Sequence, residues 1–89
     1  MIYNPDDGEC ITIRDGGNVG IGITSPKSSL QVSGGIQLSD DTDTASADKV
    51  GTLRYREDET AKKSFIEMCM RTGDSTYEWV ITQENSWGP

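Results

Sequence analysis

Gly17-Asn18-Val19-Gly20-Ile21-Gly22-Ile23-Thr24-Ser25-Pro26 carries the strongest strand signal of the first half of the chain. Val19, Ile21 and Ile23 alternate with Gly20 and Gly22, the period of a strand with one apolar face. Asp15 to Asn18 form a dense turn signal before it, and Ser25-Pro26 ends it, because proline cannot donate to a ladder. Leu30 and Val32 alternate again, Gly34-Gly35 breaks the run, and Ile36 and Leu38 predict a further short alternating piece. Upstream, Cys10 to Arg14 has the same period. Strands this short cannot make a stable isolated sheet. They predict several copies wrapped around one axis, with Gly20 and Gly22 letting backbones approach and Val19, Ile21 and Ile23 filling an interchain core.

Outward from that stretch the chain divides. Residues 1–39 read as a Gly-rich intertwined β stem. Residues 40–49 are polar and read as an acidic loop or linker, with one helical turn near Ala45 to Lys49. Residues 50–89 read as a small head. There Thr52 to Arg56 is a strand, Glu57 to Lys63 a charged turn, Ser64 to Arg71 a second strand, and Thr72 to Ser75 another turn. Thr76 to Thr82 is the last strand, with Tyr77, Trp79 and Ile81 on one face. The pattern predicts a three-stranded antiparallel meander. Ala61 to Met70 also satisfies a helix template, but Phe65-Ile66, the regular spacing and the bracketing turns favour strand.

Composition excludes several classes. The chain has 89 residues, 33% of them hydrophobic, with ten glycines. A lone domain of this size buries too little surface to be comfortable, and small domains recruit disulfides, metals or partner chains. Two cysteines allow one bridge at most, and Cys10 and Cys69 fit no metal or redox spacing, so both are expected as free thiols in a reducing compartment. Histidine is absent, which removes imidazole-based triads and most zinc sites. A net charge of −7 disfavours phosphate backbones and anionic membrane surfaces. No apolar run reaches transmembrane length, and residues 1–7 lack the basic start and apolar stretch of a secretion signal. Partner chains remain.

The candidate chemical motifs read as structure. Gly20-x-Gly22 lacks the third glycine and the following helix of a dinucleotide site; Ser25 and Pro26 stand there. Asp40, Asp41, Asp43 and Asp48 suggest a hard cation, but a calcium-loop register fails at Ala45, Ser46 and Thr52. Asp6 to Glu9 reads as an opening turn. Glu57, Asp58 and Glu67 are among the carboxylates available for a glycosidase-type acid–base pair, without a large core in which to raise a carboxyl pKa. No base accompanies either cysteine, and both read as buried small hydrophobes. Of the aromatics, Tyr55, Tyr77 and Trp79 alternate on strands and read as core or interface, whereas Trp87 lies in a polar tail. Met68 and Met70 share a strand face as filler. Lys62-Lys63 and Arg54 with Arg56 read as solvated or paired with carboxylates. No cofactor is expected.

Two segments carry a family resemblance. Gly17 to Pro26 followed by Leu30-x-Val32-x-Gly34 resembles the "GNVGIGTTSP…L.V.G" segment of phage tail fibres and related trimeric virion fibres. Val50-Gly51-Thr52-Leu53-Arg54-Tyr55, followed by Tyr77-Glu78-Trp79-Val80, is similar to the "GTIRY…WV" module that ends such fibres. Together they span about half the chain in the family's order. Ile23 stands where threonine is usual, and the block after Ser64 is longer and richer in Met and Cys.

The resemblance implies an all-β, intertwined homotrimer in a virion, made in the host cytoplasm. Its function would be non-enzymatic: trimerisation and presentation of a host-attachment surface to a cell-surface glycan or outer-membrane protein. Neither nucleic-acid binding nor membrane insertion is expected. The assembly residues expected are Val19, Gly20, Ile21, Gly22, Leu30, Val32, Leu53, Tyr55 and Trp79. Receptor contacts are expected in loops, at Asp43, Lys62, Asp74 and Trp87. A trimerising cap without receptor contact, and the head of a bacterial trimeric adhesin, are the alternatives.

Overall fold

A computed structural model of the chain describes residues 2–4 and 8–88. Among these residues the chain is all-β, with seven strands in two sheets and a single turn of 3-10 helix. The strands fall into two compact units, residues 1–37 and 38–89.

The first unit holds β1 (Ile2–Asn4), β2 (Gly8–Ile13), β3 (Val19–Ile21) and β4 (Leu30–Val32), in that order across the sheet. β1 to β3 pair antiparallel, but β3 and β4 run parallel. Gly22 explains the early end of β3. Its φ of +75° is left-handed, so the chain turns there and Ile23 leaves the strand. The residues between β3 and β4 then cross over one sheet face. The piece expected at Ile36 to Leu38 is not a strand: left-handed Gly34 redirects the chain before it, and Ile36 is 67% exposed with no partner strand. Half of the opening turn read at Asp6 to Glu9, and the Cys10 side chain, lie outside the described residues.

The second unit is an antiparallel meander of β5 (Leu53–Asp58), β6 (Lys63–Arg71) and β7 (Tyr77–Ser86). Asp58 closes the first hairpin: its Oδ1 accepts the amides of Thr60 and Ala61, both at 3.0 Å. The second hairpin is tied by Thr72 N–H donating to Thr76 O at 2.8 Å. β7 runs four residues past the expected end at Thr82. A bulge explains this. Ile66 faces Gln83 while Glu67 faces Ile81, so Thr82 is the extra residue, and its hydroxyl donates to Ile66 O at 2.9 Å.

Residues 40–49 contain the 3-10 turn Ala47–Lys49 and no strand. They lie as a strap on one face of the β5–β7 sheet. Three strap carbonyls accept bonds from that face: Asp41 O from Arg54 (2.6 Å), Asp43 O from Trp79 Nε1 (3.0 Å) and Ser46 O from Cys69 Sγ (3.6 Å). Lys49 holds the strap's own acids together, at 2.7 Å from Asp41 and 3.3 Å from Asp43. These contacts hold Asp41 below, and Lys49 above, their ordinary pKa ranges, through the hydrogen bond between them.

Candidate functional site

Strand alternation gives each sheet two faces, and in both units one face is covered by the chain itself while the other is open. In the first unit the registers Ile11–Ile21–Val32 and Ile13–Val19–Leu30 form two apolar rows across three strands. Leu30 is 57% exposed, and Ile13 and Ile21 are also open to solvent. The opposite row is Thr12–Gly20–Gln31. There Thr12 and Gly20 are buried beneath the crossover, whose own Pro26 is buried as well. A Cβ at Gly20 would collide with the backbone carbonyl of Ile23 and sit 2.8 Å from its Cγ2. Gly20 therefore admits its own chain's crossover, and no neighbouring chain is needed to explain it.

In the second unit the registers Leu53–Met68–Val80 and Tyr55–Ile66–Gln83 make the open face. Leu53 is 44% exposed, and Tyr55 and Ile66 are exposed as well. The Tyr55 hydroxyl donates to Glu57 Oε2 at 2.7 Å on the same face, which raises the phenol's pKa. Polar rows bound this patch: Glu57–Ser64–Asn85 at one end, and Glu78 beside Met70 at the other.

The strap-covered face is built on charge. Glu67 is 3% exposed and takes both arginines of β5. Arg54 Nε and Arg56 Nε donate to its Oε1 at 2.7 and 3.1 Å, and Arg56 Nη2 to its Oε2 at 3.0 Å. Arg54 stacks on Trp79 at 4.0 Å and Arg56 on Phe65 at 4.4 Å. The Arg56 hydrogen bond, then that of Arg54, outweighs burial and holds the Glu67 carboxyl below its usual range. Cys69 is fully buried on this face.

The expected assembly residues thus occupy different places. Val19, Ile21, Leu30 and Val32 share the open face of the first sheet, and Leu53 and Tyr55 that of the second. Gly20 faces its own crossover and Gly22 makes the turn. Trp79 lies under the strap, on the opposite face from Tyr55. The sequence reading missed Glu67 as the hub between Arg54 and Arg56. An Arg-x-Arg strand facing a Phe-x-Glu-x-Cys strand was the available signal.

The expected receptor positions form no single patch. Lys62 and Trp87 meet at the β5–β6 end, where Trp87 N–H donates to Lys62 O at 2.9 Å and the indole is exposed. Lys62 is held at φ 60°. Asp74 is in the β6–β7 turn, at the other end of the strands, where Arg71 braces the loop by donating to Gly73 O and Asp74 O. An open cleft of about 580 Å³ lies there, lined by Ala45, Thr72, Ser75, Thr76, Tyr77 and Glu78. Asp43 is on the strap. No helix among the described residues is long and apolar enough to cross a membrane. No protein-family model matches the chain, and neither a curated protein nor a solved structure matches it.

Proposed function

We propose that this chain is a protomer segment of a trimeric virion fibre of the tail-fibre type. Its role is non-enzymatic: it trimerises through the two open apolar faces and presents loops for host attachment. The observation that carries the reading is the inverted burial of both sheets. The crossover of the first sheet covers its small and polar row and the strap of the second covers the charged and aromatic cluster around Glu67, while the rows that hold Val19, Ile21 and Leu30, and Leu53, Tyr55 and Ile66, are left in solvent. An apolar face of this kind marks an interaction surface. The sequence resemblance supplies the trimer and the virion.

The Lys62–Trp87 corner is the best-formed attachment surface among the expected positions, because a backbone hydrogen bond ties the residue with an exposed indole to the one with a lysine side chain. Host glycan or outer-membrane protein is its partner class. Size-exclusion chromatography with light scattering tests assembly; a mass near three chains is expected, and a stable monomer overturns the reading. Binding of fluorescent protein to candidate host cells tests attachment. Loss of binding in Trp87→Ala, with the trimer mass kept, is the expected result; unchanged binding assigns attachment elsewhere.

A further inference from the structure

The second sheet has two edges, and they are not equivalent. Thr72 and Thr76 form a hydrogen-bonded pair, so alternation turns the backbone groups of Tyr77, Trp79 and Ile81 away from β6. These groups form an open edge. On β5, Cys69 N–H donating to Thr52 O fixes the opposite phase, which points Leu53, Tyr55 and Glu57 outward. One of those outward groups is engaged: Tyr55 N–H donates to Ser39 O at 3.4 Å, the longest backbone bond outside the sheets. β5 and β7 are both antiparallel to β6, so they run parallel to each other.

We infer that β7 of one copy pairs in parallel with β5 of the next, closing three sheets into one nine-stranded barrel. This rests on the trimer reading and specifies its geometry. Rotation about a threefold axis along the strands preserves strand direction, so β7 meets a neighbouring β5 in the parallel sense its direction requires. A cyclic trimer forbids β7 from pairing with its own counterpart, because that contact is twofold and closes as a dimer. Closure removes a long exposed edge that would otherwise template aggregation.

The side chains suit the result. The open face becomes the barrel interior, and the strap-covered face the exterior. Three copies of Leu53–Met68–Val80 and Tyr55–Ile66–Gln83 stack as two layers, with the polar rows at each end facing solvent. An eight-stranded barrel is just wide enough to be filled by side chains. Nine strands are slightly wider, and Tyr55 and Met68 supply the extra bulk. Ser39 leaves the β5 edge as the neighbour arrives.

Cysteine pairs and amide exchange test the pairing. Val80→Cys is combined in turn with Leu53→Cys, Tyr55→Cys and Glu57→Cys, which sample register in steps of two on one face. After mild oxidation, one pair should give covalent trimers on a denaturing gel, while Val80→Cys alone gives none. In the unmodified protein the Trp79 and Ile81 amides should exchange at least a hundredfold more slowly than in a dissociated chain. A trimer by light scattering with no crosslink and unprotected amides overturns the barrel and leaves the trimer standing. A monomer overturns both. Covalent dimers from Val80→Cys alone assign the edge to a twofold contact and overturn the barrel.

Discussion

Replacing Glu67 with alanine should cost this small protein a large share of its stability. The carboxylate is 3% exposed, and its side chain is the common partner of Arg54, 12% exposed, and Arg56, 30% exposed. Removing one partner of a buried ion pair costs about 3–5 kcal/mol, because the remaining charge stays buried and uncompensated. Here the low end applies. Arg56 is exposed enough to regain water, and Arg54 keeps Asp41 O at 2.6 Å and the Trp79 ring. At about 3 kcal/mol, and roughly 4–8 °C per kcal/mol for a domain of this size, Tm should fall by roughly 12–24 °C. Thermal unfolding by circular dichroism, at fixed protein concentration, measures it. The triple variant Arg54→Leu, Arg56→Leu, Glu67→Leu should recover most of the loss, since apolar replacement of a whole buried ionic cluster is often neutral. The sign in pH is also fixed. The folded carboxyl titrates below its unfolded value of about 4.3, so its contribution is complete above that pH and is lost as pH falls through the lower, folded value. The gap between wild type and Glu67→Gln should therefore close on acidification. A Tm change of only a few degrees in Glu67→Ala at neutral pH would refute the reasoning.

Three further outcomes are expected. Gly20→Ala should destabilise the protein by about 1–3 kcal/mol, read as a lower urea midpoint, because the new Cβ meets Ile23 of the same chain; an unchanged midpoint would mean the crossover yields freely. Ile66→Lys should leave the secondary structure intact by circular dichroism yet shift the light-scattering mass toward one chain, since the side chain is 38% exposed on the open face; a retained trimer would remove that face from the interface. Lys62→Gly should raise Tm by a few degrees: left-handed backbone costs a non-glycine residue about 1–2 kcal/mol, against roughly 0.5–1 kcal/mol of added chain entropy. A lower Tm would mean that the lysine stem packing on Gly88 outweighs the strain.

The meander was legible because each of its strands alternates and each turn carries its own chemistry. Tyr77, Trp79 and Ile81 share a face as their spacing predicts. Beyond Ile81 the parity changes at the Thr82 bulge, a shift set by pairing with Ile66 that the alternation of β7 alone does not encode. The polar run Gln83 to Ser86 therefore gave no strand signal, although it pairs with β6 to its end. Register hid the charged face too. Arg54 and Arg56 read as surface charges until pairing places them beside Glu67 and Phe65. Gly20 was legible as a position needing a bare backbone, but not as to which chain approaches it. That depends on where the crossover after Gly22 travels, which Gly22's left-handed φ sets.

On the trimer reading, the two faces of the second sheet divide the work of folding from the work of assembly. Within the second sheet, Phe65 and Cys69 are the only hydrophobic side chains that are buried, and both lie on the strap side. That face is held by charge, ring stacking and hydrogen bonds with defined directions, which fix strand register and strap position in a single chain. Such contacts specify geometry well but leave little net free energy after desolvation. The apolar face holds the reverse: area without direction, worth about 25 cal/mol for each Å² removed from water. On the trimer reading proposed above, such a protomer gains much of its stability only when copies meet. Its Tm should then rise with concentration, because association and folding share one equilibrium. The acids of the strap and turns lie away from the open face, whose core rows Leu53–Met68–Val80 and Tyr55–Ile66–Gln83 carry none. The net charge of −7 therefore opposes random aggregation without placing like charges at the centre of the proposed contact.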